Sequence, residues 1–194
     1  VWPEGREKEM NLTVGFRAAL DGAAASDSIL RLTGSTVCRI FINGEFLGYG
    51  PARGPHGFYR VDEWPLKGRC RPGANVIAIE VAGYNVNSYY HLDQPAFLQA
   101  EIAKGTDVLA ATGGDGPAFE AQIITSRIQK TQRYSFQRTF SEVYRLTPQS
   151  DNWRTGGAFV PTNLAVTPSV RLLERLAPYP EFQIRRPVTE LFRG

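Results

Sequence analysis

The chain is short of the residues that build metal and redox centres: 194 residues hold two cysteines, two histidines and one methionine. Cys38 falls in an apolar run and Cys70 in a turn, with no CxxC and no Cys/His spacing suited to a metal. No metal site or other cofactor is therefore expected, and the two thiols pair only if the fold brings them together. No apolar run approaches the roughly 20 residues of a membrane-spanning helix, so no membrane partner is expected. No stretch of about 12 residues keeps a helical period, although Ala18 to Ala25 has room for a turn or two. Val1 to Asn11 is charged, without an initiator methionine or the apolar core of a leader, as in a processed product or an excised piece. Neither His56 nor His91 has a GxSxG elbow beside it. Gly113-Gly114-Asp115-Gly116 lacks the Lys-Ser/Thr of a phosphate loop and reads as a plain loop. Charge is close to balanced, 22 basic against 19 acidic residues. The arginines between Arg171 and Arg186 are interleaved with Leu, Pro and Glu, the pattern of solvated strand faces, so nucleic acid is not an expected partner.

What is present is the vocabulary of an antiparallel β fold. Asn43-Gly44 separates two β-prone runs, Ile40 to Ile42 and Phe46 to Tyr49, and Asn-Gly meets the positive φ of a two-residue type I′ turn most cheaply. A second turn, Arg71-Pro72-Gly73-Ala74-Asn75, precedes Val76 to Val81, which reads as a buried central strand. Leu12, Val14, Phe16, Ala18 and Leu20 alternate with smaller or polar residues, a half-buried strand. Further strands are expected at Ile29 to Leu32, Val37 to Ile42, Phe58 to Val61, Phe97 to Ile102, Val108 to Thr112, Phe119 to Thr125 and Tyr134 to Leu146, and around Val166 and Leu172 to Leu176. The 19 glycines and 13 prolines suit so many turns. The fold class is all-β, a sandwich or jelly roll, large enough to bury a core without staples. Composition shifts near Gln149, where proline rises. Residues 1–148 are expected to form the sandwich and 149–194 a Pro-rich extension that wraps it or leads into another domain.

Glycosidase chemistry asks for two positioned carboxylates. Glu101 and Glu120 fall in alternating strands and Asp151 in a loop, and together with Glu142 they read as surface acids, so no catalytic residue is assigned. The best binding candidate is the loop Gly83 to Gln94. Asn85, Asn87, His91, Asp93 and Gln94 offer donors and acceptors for sugar hydroxyls, and Tyr84, Tyr89 and Tyr90 offer ring faces for stacking. Alternatively the tyrosines pack under a sheet edge and the polar groups cap turns. The second candidate is Arg53 with His56 in Gly-Pro-Ala-Arg-Gly-Pro-His-Gly, a stiff frame that presents Arg53 to a ligand or ties it to Asp62 or Glu63. Trp64 and Trp153 are either stacking platforms or core.

The run from Leu30 to Pro55 and the run from Arg69 to Asn85 resemble the N-terminal galactose-binding-like β-sandwich of bacterial α-L-rhamnosidases. The likeness is carried by Ile42-Asn43-Gly44, by Pro72-Gly73-Ala74-Asn75 with its strand to Val81, and by Gly48 to Gly54. Phe140 to Gly157 is similar to the segment that follows this sandwich in that family, departing from it at Arg145, where the family usually has Asp. The resemblance spans most of residues 10–180. It implies a galactose-binding-like jelly roll and a secreted or periplasmic location. It also implies partnership with a C-terminal catalytic domain, an α-helical toroid that carries the acid and base. Carbohydrate, as rhamnosides or plant-type glycans, is the implied ligand. Some sandwiches of the family bind rhamnose with calcium, but no matching ligand set is found here. The expected role is a non-catalytic accessory domain of a glycoside hydrolase. A self-sufficient carbohydrate-binding module and a purely structural interaction domain are the alternatives.

Overall fold

A computed structural model describes residues 1–114, 116–182 and 188–189. Asp115 of the glycine loop, Arg186 and the end of the 149–194 extension lie outside the described residues. The strands are β1 (Trp2–Pro3), β2 (Leu12–Asp21), β3 (Ile29–Gly34), β4 (Cys38–Ile42), β5 (Glu45–Gly50), β6 (Phe58–Pro65), β7 (Ala74–Gly83), β8 (Leu98–Lys104), β9 (Asp107–Ala111), β10 (Glu120–Ile123), β11 (Leu164–Ala165) and β12 (Arg171–Glu174). One helical turn, α1 (Gly22–Ala25), is capped by Asp21, whose carboxylate accepts from the Ala23 N–H at 2.9 Å. The all-β jelly-roll sandwich expected from the sequence is the fold found.

Two five-stranded sheets face one another, in the orders β10-β2-β7-β4-β5 and β12-β6-β3-β8-β9. Successive segments cross between them: β3 lies in the second sheet, β4 and β5 in the first, β6 in the second, and β7 in the centre of the first. All pairings within these sheets are antiparallel except β12 with β6. The alternation in β2 explains its place. Leu12, Val14, Phe16 and Ala18 point into the core between the sheets, with Leu30, Leu32, Ile40, Ile77, Ile79 and Ile102. The other face of β2 is covered as well, because Trp153 from the 3-10 turn Asn152–Thr155 packs with Phe41, Ala78 and Ile124. A β-carbon on Gly15 would stand 2.7 Å from both Ile124 and Trp153, so glycine is what lets that indole close on the sheet. This double covering is why β7 reads as a continuous apolar run.

Asn43 and Gly44 adopt φ of 52° and 84°, the left-handed pair a type I′ turn requires. Asn43 then docks on the second turn: its Nδ2 donates to Asn75 Oδ1 at 2.8 Å and its Oδ1 accepts from the Val76 N–H at 2.9 Å. Asn75 is fully buried and also holds Arg71 N, Arg71 O and Gly73 O. The two sequence signatures thus form one hydrogen-bonded lock.

One expectation is corrected and two open alternatives are decided. The segment from Tyr134 to Leu146 forms no strand, only isolated bridges such as Arg133 with Phe140 and Arg127 with Tyr144. Its Tyr134, Phe136 and Leu146 are more than three-quarters exposed, so no buried face organises a ladder. Trp64 and Trp153 are buried and offer no stacking platform. Cys38 and Cys70 remain free thiols. After residue 149, Trp153 enters the second cluster, β11 pairs with β1, and β12 adds to β6. Arg175 pairs with the fully buried Asp62 at 2.8 Å.

Candidate functional site

Both loops singled out in the sequence line one cleft of about 610 Å³ at an end of the sandwich. Its walls are the turn 34–37, the loop 51–60, the segment 84–94, and Thr139 with Glu142. The volume lies in the range of small-ligand pockets, roughly 300–1,000 Å³.

Each wall is shaped by local chemistry. The 51–60 loop is pinned where the Asp62 carboxylate accepts from the Ala52 N–H at 3.1 Å and where Arg60 Nε donates to the Arg53 carbonyl at 2.9 Å. Gly54 passes so close to the Phe58 carbonyl that a β-carbon would sit 2.5 Å from it. In the facing loop, Ser88 Oγ accepts from the N–H groups of Tyr90 (3.3 Å) and His91 (3.0 Å), and Asn87 Oδ1 accepts from the Asp93 N–H at 2.9 Å. These bonds curl the loop and gather its rings: the His91 ring centroid lies 5.2 Å from that of Tyr84 and 5.0 Å from that of Tyr90. Arg53 meets them from across the cleft, its guanidinium 5.5 Å from the Tyr90 centroid. Deeper in, Tyr59 donates to Gln94 Oε1 at 2.7 Å and Gln94 Nε2 donates to the Ser35 carbonyl at 2.8 Å.

The electrostatics follow from this crowding. Burial, with the Arg53 charge as a second cause, lowers the His91 pKa to about 4, so the imidazole is neutral at pH 7 and both donates and accepts. The Thr139 hydroxyl bonded to Tyr90 holds that phenol below its ordinary range, while burial pushes Tyr84 and Tyr59 upward. The cleft therefore offers aromatic edges, neutral hydrogen-bonding groups, two arginines and one glutamate. That combination can hydrogen-bond and stack against a small polar ligand.

The predicted residues divide. Arg53, His56, Tyr89, Tyr90 and His91 line the cleft together with Tyr84 and Gln94. Asn85, Asn87 and Asp93 do not. Asn85 is buried at φ 48° and donates to the Glu7 carbonyl at 2.6 Å, and Asn87 spends its side chain on closing the loop. Arg53 makes neither expected ion pair, because Asp62 belongs to Arg175 and Glu63 to Arg31 at 2.7 Å. Sequence reasoning missed Tyr59, Ser35 and Thr139, which lie in separate segments with no local signature. Glu101 pairs with Arg31, Glu120 with Arg17 and Asp151 with Arg154, so three of the four candidate acids are engaged away from the cleft. Among the described residues no cluster of three or more His, Cys, Asp or Glu converges to hold a metal, and no helix is long and apolar enough to cross a membrane.

No family model and no curated protein matches this chain. Among solved structures, it aligns with a GH78 family rhamnosidase of Bacillus sp. GL1 at a TM-score of 0.74 and 24% identity, over 92% of this chain and 20% of that one. Alignments with α-L-rhamnosidases of Dictyoglumus thermophilum (14% identity, 58% of this chain, 13% of that one, TM-score 0.41) and Aspergillus terreus (13%, 77%, 21%, 0.46) are looser. The first likeness shows that the chain has the fold of a region of a rhamnosidase, as the sequence resemblance implied, and that it spans about a fifth of that protein's length.

Proposed function

We propose that this chain is a non-catalytic accessory β-sandwich of an α-L-rhamnosidase-like glycoside hydrolase, with a galactose-binding-like jelly roll that packs on a catalytic domain and binds carbohydrate in the cleft. The match over nearly the whole chain to one fifth of a rhamnosidase supports the first half. The convergence of Arg53, Tyr90, His91 and Gln94 from two separate loops supports the second and is the observation that carries it. The apolar faces of a sugar, formed by its axial C–H bonds, suit the tyrosine rings, and its hydroxyls suit the neutral His91, Gln94 and the backbone of the 51–60 loop. The reading calls for no cofactor, and for a secreted or periplasmic setting in which such glycans occur.

The test is a titration of the chain with L-rhamnose and a rhamnosyl oligosaccharide, followed by NMR shifts of the 84–94 amides. Saturable binding at about millimolar Kd is expected, abolished in Tyr90→Ala. No response at tens of millimolar removes the carbohydrate half. Turnover of an aryl rhamnoside by this chain removes the non-catalytic half.

A further inference from the structure

The charge inventory of the cleft is uneven. Its titratable lining, apart from tyrosines, consists of Arg53, His56, Arg60, His91 and Glu142. Glu142, the one acid, is drawn away from the opposite wall: it accepts from the Tyr144 hydroxyl at 2.9 Å and lies 3.9 Å from Arg127 Nη2. Arg60 spends its guanidinium on two carbonyl oxygens, those of Arg53 and Glu174, which orient it without cancelling its charge. Arg53 has no carboxylate partner among the described residues, and the two acids of β6, Asp62 and Glu63, are paired with Arg175 and Arg31. Its guanidinium stands 5.5 Å from the Tyr90 ring centroid and close enough to His91 for its charge to act on that imidazole. A guanidinium seated beside an aromatic ring keeps its in-plane N–H donors available, and a carboxylate is the group whose two oxygens match that fork.

We infer that the cleft selects glycans carrying a carboxylate, that is a uronic acid residue, over their neutral counterparts, with Arg53 reading the charge. This rests on the carbohydrate reading above and narrows it. The pairing would be directed by geometry as well as charge: Tyr90 and His91 hold the sugar ring, and Arg53 lies at one edge to meet a substituent on C5. His91, neutral at working pH, supplies a hydrogen bond and no competing charge. The cleft is open to solvent, so the preference is a moderate one and sensitive to salt.

The experiment compares trigalacturonate with its fully methyl-esterified form, the same sugar without the charge, by calorimetry on the whole chain. The acid form is expected to bind about tenfold more tightly at low ionic strength, the range of a charge-assisted hydrogen bond. That ratio is expected to fall toward one in roughly 1 M salt, where the Debye length is about 3 Å. It is also expected to reach about one in Arg53→Gln and an intermediate value in Arg53→Lys, which keeps the charge but not the fork. Equal affinities for acid and ester in the unmodified chain overturn this inference while the carbohydrate reading stands. A preference that survives Arg53→Gln, with the variant's melting temperature unchanged, overturns the role of Arg53. Failure to bind either trimer, where rhamnosyl oligosaccharide does bind, overturns the uronate assignment alone. Silence toward all three removes both readings.

Discussion

Replacing Asn75 by alanine removes an amide that uses its full hydrogen-bonding capacity. Its Oδ1 accepts from Arg71 N at 2.9 Å and from Asn43 Nδ2 at 2.8 Å, and its Nδ2 donates to the carbonyls of Arg71 at 2.7 Å and Gly73 at 2.9 Å. Each such bond contributes about 1 kcal/mol net, which sets an upper figure of about 4 kcal/mol for the four. Arg71 and Gly73 are exposed, so water recovers part of what their backbone loses, and the expected cost is about 2–3 kcal/mol. For a chain of this length that corresponds to a fall in Tm of about 4–12 °C. Urea unfolding followed by tryptophan fluorescence reads the loss as a shift in midpoint at constant slope. A double-mutant cycle with Asn43→Ala isolates the Asn43–Asn75 bond, for which a coupling of about 0.5–1.5 kcal/mol is expected. The strain at Asn43, whose φ is 52°, cancels in the cycle because it is present in both arms. A loss below about 0.5 kcal/mol, or strict additivity of the two changes, would refute the claim that the two turns form a lock.

Two other perturbations test different parts of the structure. Glu80 is almost fully buried on the outer face of β7 between Arg39 and Arg154, the latter at 2.6 Å, so Glu80→Gln takes the carboxylate from Arg39 and leaves Arg154 with only the exposed Asp151 at 2.9 Å. A loss of about 3 kcal/mol in denaturant unfolding is expected, and a change under about 1 kcal/mol would show that solvent already screens the triad. For His91 the folded pKa is depressed to about 4 from an ordinary 6.5, first by burial and then by Arg53. The unfolded chain therefore binds the proton more readily, and the His91 contribution is complete above about pH 6.5 and lost as pH falls toward 4. Unfolding free energy measured from pH 7 to pH 4 should decline less steeply in His91→Gln than in the unmodified chain; identical slopes would mean that the imidazole is solvated.

The legible parts of the fold are those whose causes are local. Asn43-Gly44 specified its own turn through the steric cost of positive φ, and the alternation of Leu12, Val14, Phe16 and Ala18 marked the inward face of β2. The expected strand from Tyr134 to Leu146 went wrong for a related reason. Its residues have the propensity but no partner strand or covering layer, and Arg133 instead ties the loop to the carbonyls of Asn87, Phe136 and Arg138 at 2.7–2.9 Å. Trp153 was ambiguous because nothing near it in the chain reveals that Gly15, far away in β2, leaves the hollow it fills.

The candidate site divides along the same line. That a Tyr-rich polar loop and a Gly/Pro-framed arginine loop each suit ligand contact could be read from their residue types and their place between strands. That they face one another across one cleft could not, because Arg53 and Tyr90 meet only after β6 and β7 have crossed between the two sheets. Nor could the fate of individual polar side chains: Asn85 and His91 look equally available in the chain, yet the first is turned inward to the Glu7 carbonyl and the second toward the cleft. Backbone sterics and side-chain periodicity act between near neighbours and are written directly in the order of residues. The pairing of distant loops, and the choice of which polar groups stay free, depend on strand order and on competition among partners that only the packed sandwich brings within reach.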